Sequence, residues 1–184
     1  MGQYYNIIIK PQGQDKVHAY DRTLDGEYTM AKLMEHSWYL NPMVNAISAK
    51  LYHKPSQIAW VGDYYDKGEL SNYAYPKNKR YCKLHKTEFT LNDKYLVNHT
   101  KKLILDCWNY LRDCIIKNED SWVPHPLPLL VALGNGRGGG DYSGINEDKI
   151  GSWAWDVLEI VDWEDLENLQ KEGYQKFEIR FEDK

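Results

Sequence analysis

Lys94-Tyr95-Leu96-Val97-Asn98-His99-Thr100-Lys101-Lys102-Leu103-Ile104-Leu105-Asp106 runs without a break into Cys107-Trp108-Asn109-Tyr110-Leu111-Arg112-Asp113-Cys114-Ile115-Ile116-Lys117. Residues 94–98 and 101–106 are strand-like and flank a polar His99-Thr100 turn, the pattern of a hairpin. The period then changes: Cys107, Leu111, Cys114 and Ile115 share one stripe at helical spacing over 107–117. Two strands feeding straight into a helix point to a fold that mixes both elements over short connections.

The same punctuation continues outward. Residues 4–10 are β-branched and aromatic, closed by Pro11 and Gly13, and 16–20 alternates, so this pair also reads as a hairpin. Met30, Leu33, Met34 and Ser37 predict a short helix over 29–37. Asn41-Pro42 is a helix start, since Asn accepts from the first amides and Pro lacks only an N–H that would have no partner there. That helix should end near Tyr52, before Pro55. Residues 57–62 form a strand, and 64–80 an extended loop. Downstream, 129–133 reads as a buried strand behind the rigid Pro124-His125-Pro126-Leu127-Pro128, where each residue before a proline is biased to extended geometry. A strand over 153–161, an acidic helix over 164–171 and an alternating strand over 173–181 complete the chain. Strands outnumber helices, which predicts an α+β fold: a mixed, largely antiparallel sheet with helices packed to one side, in a single domain spanning 1–184. A Tyr- and Lys-rich loop or insertion interrupts it at about residues 64–90.

A length of 184 residues suits one domain with a real core. Seven Trp and fifteen Tyr against three Phe favour half-wet clefts and stacking surfaces. The net charge of −4 argues against a generic nucleic-acid coat. The charge is uneven, however: residues 156–184 carry ten acids and four bases, whereas 70–87 carry five Lys or Arg and no acid. Three cysteines without a C-x-x-C pair fit a reducing compartment. No apolar run approaches the ~20 residues that span a bilayer. Gly2 raises myristoylation, but Asn6 stands where Ser or Thr is needed. The expected location is cytoplasmic, away from any membrane.

The most unusual segment is Gly134-Asn135-Gly136-Arg137-Gly138-Gly139-Gly140-Asp141. It formally contains G-x-G-x-x-G, but Asp141-Tyr142-Ser143-Gly144 is a poor helix opening, so it is not a dinucleotide fingerprint. It also lacks the Lys-Ser or Lys-Thr of a P-loop. Five glycines exceed what a plain turn needs and cost entropy on folding. Their use is to bring bare amides close to an anion. Asn135, Gly136, Gly138 and Gly139 are therefore candidate ligand-binding positions, with Arg137 a bidentate donor that stabilises developing charge. His125, held between prolines, and His99 are candidate general acid or base residues. Lys101 would serve as the cation beside them. Asp63 and Asp141 are orienters or metal ligands, and Glu35-His36 joins them at the end of a regular element. Carboxylates from Glu35, Asp63, Asp66 and Asp141 could hold Mg²⁺, although the expected mechanism uses no cofactor. A turn at a hairpin tip explains 98–101 equally well. In the basic stretch, Tyr75, Lys77, Lys79, Arg80 and Lys83 interleave stacking and cationic groups as single-stranded nucleic acid requires.

These pieces together resemble a family of small bacterial, phage and mobile-element proteins. The matching segments are Met1-Gly2-Gln3-Tyr4-Tyr5, Lys32-Leu33-Met34-Glu35-His36-Ser37, Trp60-Val61-Gly62-Asp63-Tyr64, Leu96-Val97-Asn98-His99-Thr100-Lys101-Lys102, His125-Pro126-Leu127-Pro128-Leu129-Leu130, the glycine segment and Gly151-Ser152-Trp153-Ala154. The resemblance spans residues 1–156 and implies a shared polar site without an assigned reaction. In size and character the chain is also similar to anti-CRISPR proteins of mobile elements, some of which cause guide-RNA cleavage. That likeness implies RNA or a Cas9-type ribonucleoprotein as partner and a ribonuclease-like phosphodiester chemistry. Two alternatives stay open: a non-catalytic inhibitor of a defence nuclease, and an enzyme acting on a nucleotide-type small molecule.

Overall fold

The computed structural model describes residues 3–20, 22–28, 32, 37–74, 81–117, 123–134 and 147–180. The expected helix over 29–37 falls largely outside them. The architecture is α+β, with a mixed, mostly antiparallel sheet. The strands are β1 (Tyr5–Pro11), β2 (His18–Tyr20), β5 (Ser56–Gly62), β6 (Lys94–Asn98), β7 (Leu103–Asp106), β8 (Ala132–Leu133), β9 (Val157–Asp162) and β10 (Gln175–Phe177). A separate small ribbon pairs β3 (Thr23–Leu24) with β4 (Glu27–Tyr28). The sheet order is β10-β7-β6-β9-β5-β1-β2, with β8 added beside β5. Among the described strands only β10 on β7 and β8 on β5 run parallel.

Both faces of the sheet are covered. Ile7 and Ile9 of β1, Ile58 and Trp60 of β5, and Leu158 and Ile160 of β9 face α1 (Pro42–Leu51), α3 (Cys107–Lys117) and α4 (Pro126–Val131). The alternate residues point the other way: Ile8, Ala59 and Val61 meet Ala74 of α2 (Ser71–Ala74). Val97, Ile104 and Val161 meet Leu166 and Leu169 of α5 (Leu166–Lys171). The three main helices lie on one face, as expected, and two short ones close the opposite face. Because β1 and β5 are buried on both sides, their apolar runs are continuous. Each fully buried Ile contributes roughly 1.5–3 kcal/mol.

Local signals explain most elements. Asn41 Oδ1 accepts from Met43 N at 2.9 Å and Val44 N at 3.3 Å, capping α1, whose C-cap is Tyr52. On α3, Cys107, Leu111 and Cys114 are fully buried. Ile115, expected on the same stripe, is 54% exposed. At roughly 100° per residue it turns onto the flank beside Trp108.

Three expectations need correction. Residues 129–133 do not form a strand: Pro126–Val131 is a helix, and only Ala132–Leu133 pairs with β5. Pro126 and Pro128 fall in the first helical turn, where N–H groups have no intrahelical partner, so proline does no harm there. Residues 153–156 form turns, and β9 begins at Val157. The last strand is only Gln175–Phe177.

One edge of β5 is shared. Along its other edge β1 pairs the whole strand, from Pro11↔Ser56 to Tyr5↔Gly62. On the shared edge β9 pairs antiparallel with Ser56 and Gln57, and β8 pairs parallel with Trp60 and Val61. Between them Trp155, held at φ 65°, donates its backbone N–H to Ile58 O at 2.8 Å. The sheet forks there, and the upper arm leads into the glycine segment.

Candidate ligand site at the carboxyl end of the sheet fork

Pairing Trp60 with Ala132 and Val61 with Leu133 brings Gly62 and Gly134 to the same end of two parallel strands. Loops leaving the carboxyl ends of parallel strands where the sheet changes direction are a common place for a ligand. Asp63 is fixed there by Tyr4: Asp63 N donates to Tyr4 O at 2.8 Å, and Tyr4 N donates to Asp63 Oδ1 at 3.2 Å. Under both glycines lies Gln3, 2% exposed. Tyr5 Oη donates to Gln3 Oε1 at 3.1 Å, whereas Gln3 Nε2 has no hydrogen-bond partner among the described residues. A Cβ on Gly62 would stand 2.0 Å from Gln3 Nε2, and one on Gly134 2.8 Å from Gln3 Oε1. A side chain at either position would displace this carboxamide.

Tyr4 carries cations. The Arg22 guanidinium carbon lies 5.0 Å from its ring centroid and Lys32 Nζ 5.7 Å away. Such contacts hold positive charge over an aromatic face. The described site thus combines an aromatic ring, two cations, the Asp63 carboxylate and the root of a glycine-rich segment. Gln3, Tyr4, Arg22 and Lys32 received no role from the sequence; the one available signal was that three of the four lie in the two segments Met1-Gly2-Gln3-Tyr4-Tyr5 and Lys32-Leu33-Met34.

Of the expected catalytic residues, the fold brings Asp63 to Gly134. Glu35, His36, Arg137 and Asp141 lie outside the described residues, as do Asn135, Gly136, Gly138, Gly139, Tyr75, Lys77, Lys79 and Arg80. Lys83 is exposed beyond the outer edge of β2.

His125 is not available as an acid or base. It is 1% exposed and is the N-cap of α4, its Nδ1 accepting from Leu127 N at 3.1 Å. That fixes the proton on Nε2, 3.3 Å from Ser48 Oγ. Burial pushes its pKa down to about 3, so the ring stays neutral.

His99 is also engaged. Nε2 meets Glu159 Oε2 and Nδ1 meets Tyr174 Oη, both at 2.8 Å. Burial above all, with Glu172 and Glu159 adding to it, pushes the Tyr174 phenol up, and the trio ties the chain entering β10 to the turn after β6 and to β9. Nor does His99 stand beside Gly134. Asn98 pairs with Leu158, which pairs with Ser56, so the turn is level with the start of β5. Gly62 is six residues further along, roughly 20 Å at strand rise.

The Asn98-His99-Thr100-Lys101 turn is a latch on residues 152–157. Asn98 Nδ2 donates to Asp156 Oδ2 at 2.8 Å, and Lys101 Nζ binds the same carboxylate and Ser152 O. Thr100 Oγ1 accepts from Val157 N at 2.9 Å. Lys101 is therefore occupied in holding the lower arm of the fork. Among the described residues no three His, Cys, Asp or Glu side chains are grouped to hold a metal ion. No helix among them is long and apolar enough to cross a membrane. Comparison with protein-family models, with curated proteins and with solved structures finds no match to this chain.

Proposed function

We propose that this protein binds RNA at the carboxyl end of the fork, as a mobile-element anti-defence factor that engages the guide RNA of a Cas9-type complex. The observation that carries the reading is the Tyr4 ring bearing Arg22 and Lys32 beside the root of the glycine segment. Aromatic rings and cations in one place serve base stacking and phosphate neutralisation together. The glycine segment, with Arg137, adds bare amides and a bidentate donor for phosphate oxygens.

Among the described residues, the surroundings of the two expected histidines favour binding without cleavage. His125 is a neutral helix cap and His99 spends both ring nitrogens on Glu159 and Tyr174. A two-histidine phosphodiester mechanism needs an imidazole free to exchange a proton with substrate. The protein then works as a contact inhibitor of the nuclease, with the basic stretch around Lys77, Lys79, Arg80 and Lys83 as a separate RNA contact.

The test is fluorescence anisotropy with labelled single-stranded RNA and with a Cas9–guide complex, alongside gel analysis of the RNA with and without EDTA. Binding that weakens in Arg22→Ala, Lys32→Ala and Arg137→Ala, with RNA length unchanged, is expected. RNA shortening would replace the inhibitor reading with a nuclease one. Absence of binding at low salt would remove RNA as the ligand.

A further inference from the structure

The face of the sheet opposite the three main helices carries a small cleft. Along β7 the strand alternation puts Ile104 and Asp106 on this face. Pairing adds Tyr95 of β6 opposite Asp106, and Lys176 of β10 opposite Ile104. Tyr174, two residues before Lys176, joins them. α5 lies over this face through Leu166 and Leu169, but its six residues make only about 9 Å of helix. What it leaves uncovered is a cleft of about 200 Å³, walled by these side chains together with Leu166 and Gln170.

The walls are held in place. Tyr174 Oη lies 2.8 Å from His99 Nδ1, and His99 Nε2 lies 2.8 Å from Glu159 Oε2, so the phenol is pinned through the turn after β6 to β9. The His99 ring also meets it edge-on, centroids 5.7 Å apart. Asp106 is fixed from α3: Oδ1 accepts from Asn109 N at 2.9 Å, and Oδ2 from Asn109 Nδ2 at 2.6 Å. A carboxylate has about four acceptor positions, so further donors can still reach it. Lys176 Nζ meets Glu178 Oε1 at 3.0 Å, one partner for an ammonium that carries three donors. Groups already ordered in this way lose little freedom when a small molecule binds.

Size and charge together define the occupant. An apolar cavity of about 150 Å³ admits benzene, so the volume here takes one aromatic ring with a short polar extension. Ile104 and Leu166 supply apolar surface, and the rings of Tyr95 and Tyr174 favour an aromatic guest. Asp106 and Lys176 carry opposite charges on neighbouring strands, two residues out of level. A strand spacing of about 4.8 Å and a rise of about 3.3 Å set them roughly 8 Å apart at the backbone. An ammonium and a carboxylate on one carbon span that gap with a hydrogen bond at each end. A molecule with a single charge leaves one of the two groups unmatched.

We propose that this cleft binds a free aromatic α-amino acid, its ring against Ile104 and Leu166 beside the two tyrosines, its ammonium on Asp106 and its carboxylate on Lys176. Leu166 and Gln170 belong to α5 and the other walls to the sheet and the chain entering it, so occupancy ties that helix to β6, β7 and β10. The site is independent of the RNA reading, for β9 stands between β6 and the forked strand β5.

The experiment titrates L-phenylalanine into the full chain by isothermal calorimetry. Phenethylamine, 3-phenylpropionate and L-leucine serve as comparators that lack the carboxylate, the ammonium and the ring. L-Phenylalanine is expected to bind one to one, and each comparator about tenfold more weakly, as loss of a charge-assisted hydrogen bond or of a buried ring implies. Lys176→Gln, at an exposed position, should lower the affinity for L-phenylalanine to that of phenethylamine. Asp106→Asn, which keeps an acceptor for Asn109, should lower it to that of 3-phenylpropionate. Leu166→Trp, which fills the cleft, should abolish binding, with circular dichroism showing that each variant is folded. The proposal is overturned if L-phenylalanine does not saturate the protein at millimolar concentration, or if any comparator binds as tightly. Wild-type affinity in Lys176→Gln and Leu166→Trp would place the amino acid elsewhere and overturn it equally.

Discussion

The carboxamide of Gln3 sits in the space a side chain on Gly62 would need, with Nε2 2.0 Å from where a Cβ would stand. Gly134 contacts the same carboxamide from the neighbouring strand. Gly62→Ala and Gly134→Ala should each destabilise the protein by about 1–3 kcal/mol through overpacking. Adding Gln3→Ala to either should recover part of the loss. Urea denaturation of these single and double variants checks this, and simple additivity would count against a shared cause.

His125 gives the protein a pH signature. Its folded pKa of about 3 lies below the ordinary value of about 6.5, so only the unfolded chain takes up this proton between them. Stability is therefore full above about pH 6.5 and declines toward pH 3, by at most about 1.4 kcal/mol per pH unit from this group. His125→Asn keeps an acceptor at the cap and removes the titration. Denaturation midpoints from pH 7 to pH 4 should slope more gently in that variant.

Asp156 holds the lower arm of the fork by accepting from Asn98, which is fully buried. Asp156→Ala leaves that amide without an acceptor and should cost about 1–3 kcal/mol. Lys101→Ala removes a half-exposed ion pair and an exposed contact to Ser152 O, and should cost at most about 1 kcal/mol. Equal destabilisation in the two variants would mean that the buried amide is not what matters.

RNA affinity should fall with salt. Replacing Arg22 or Lys32 with Gln should reduce the slope of log affinity against log salt by about 0.7 for each phosphate no longer neutralised, the value for single strands. A salt-independent affinity, or slopes unchanged in both variants, would place the RNA elsewhere.

What could be read in the sequence was local. Asn41-Pro42 announces α1 because cap and first turn are adjacent in the chain, and the hairpin over 94–106 and the Cys107–Cys114 stripe carry their own periods. Residues 129–133 failed because a five-residue apolar run is buried either way, and period alone does not separate helix from strand. His125 read as an acid or base because a histidine's role depends on what surrounds it, here Ser48, 77 positions away. The candidate site gathers Gln3, Tyr4, Arg22, Lys32, Gly62 and Gly134. Strand register brings Gly62 and Gly134 together and side-chain contacts add the rest, and no spacing along the chain encodes that.

The shared edge of β5 has a consequence for how the protein can change. The chain leaves that strand beside Val61 and returns beside Gln57, so residues 134–156 start and finish on one scaffold. Substitutions between those anchors, away from Trp153, Trp155 and Asp156, need not alter the pairing of any other strand. A protein built this way can exchange what it recognises while keeping the rest of its architecture.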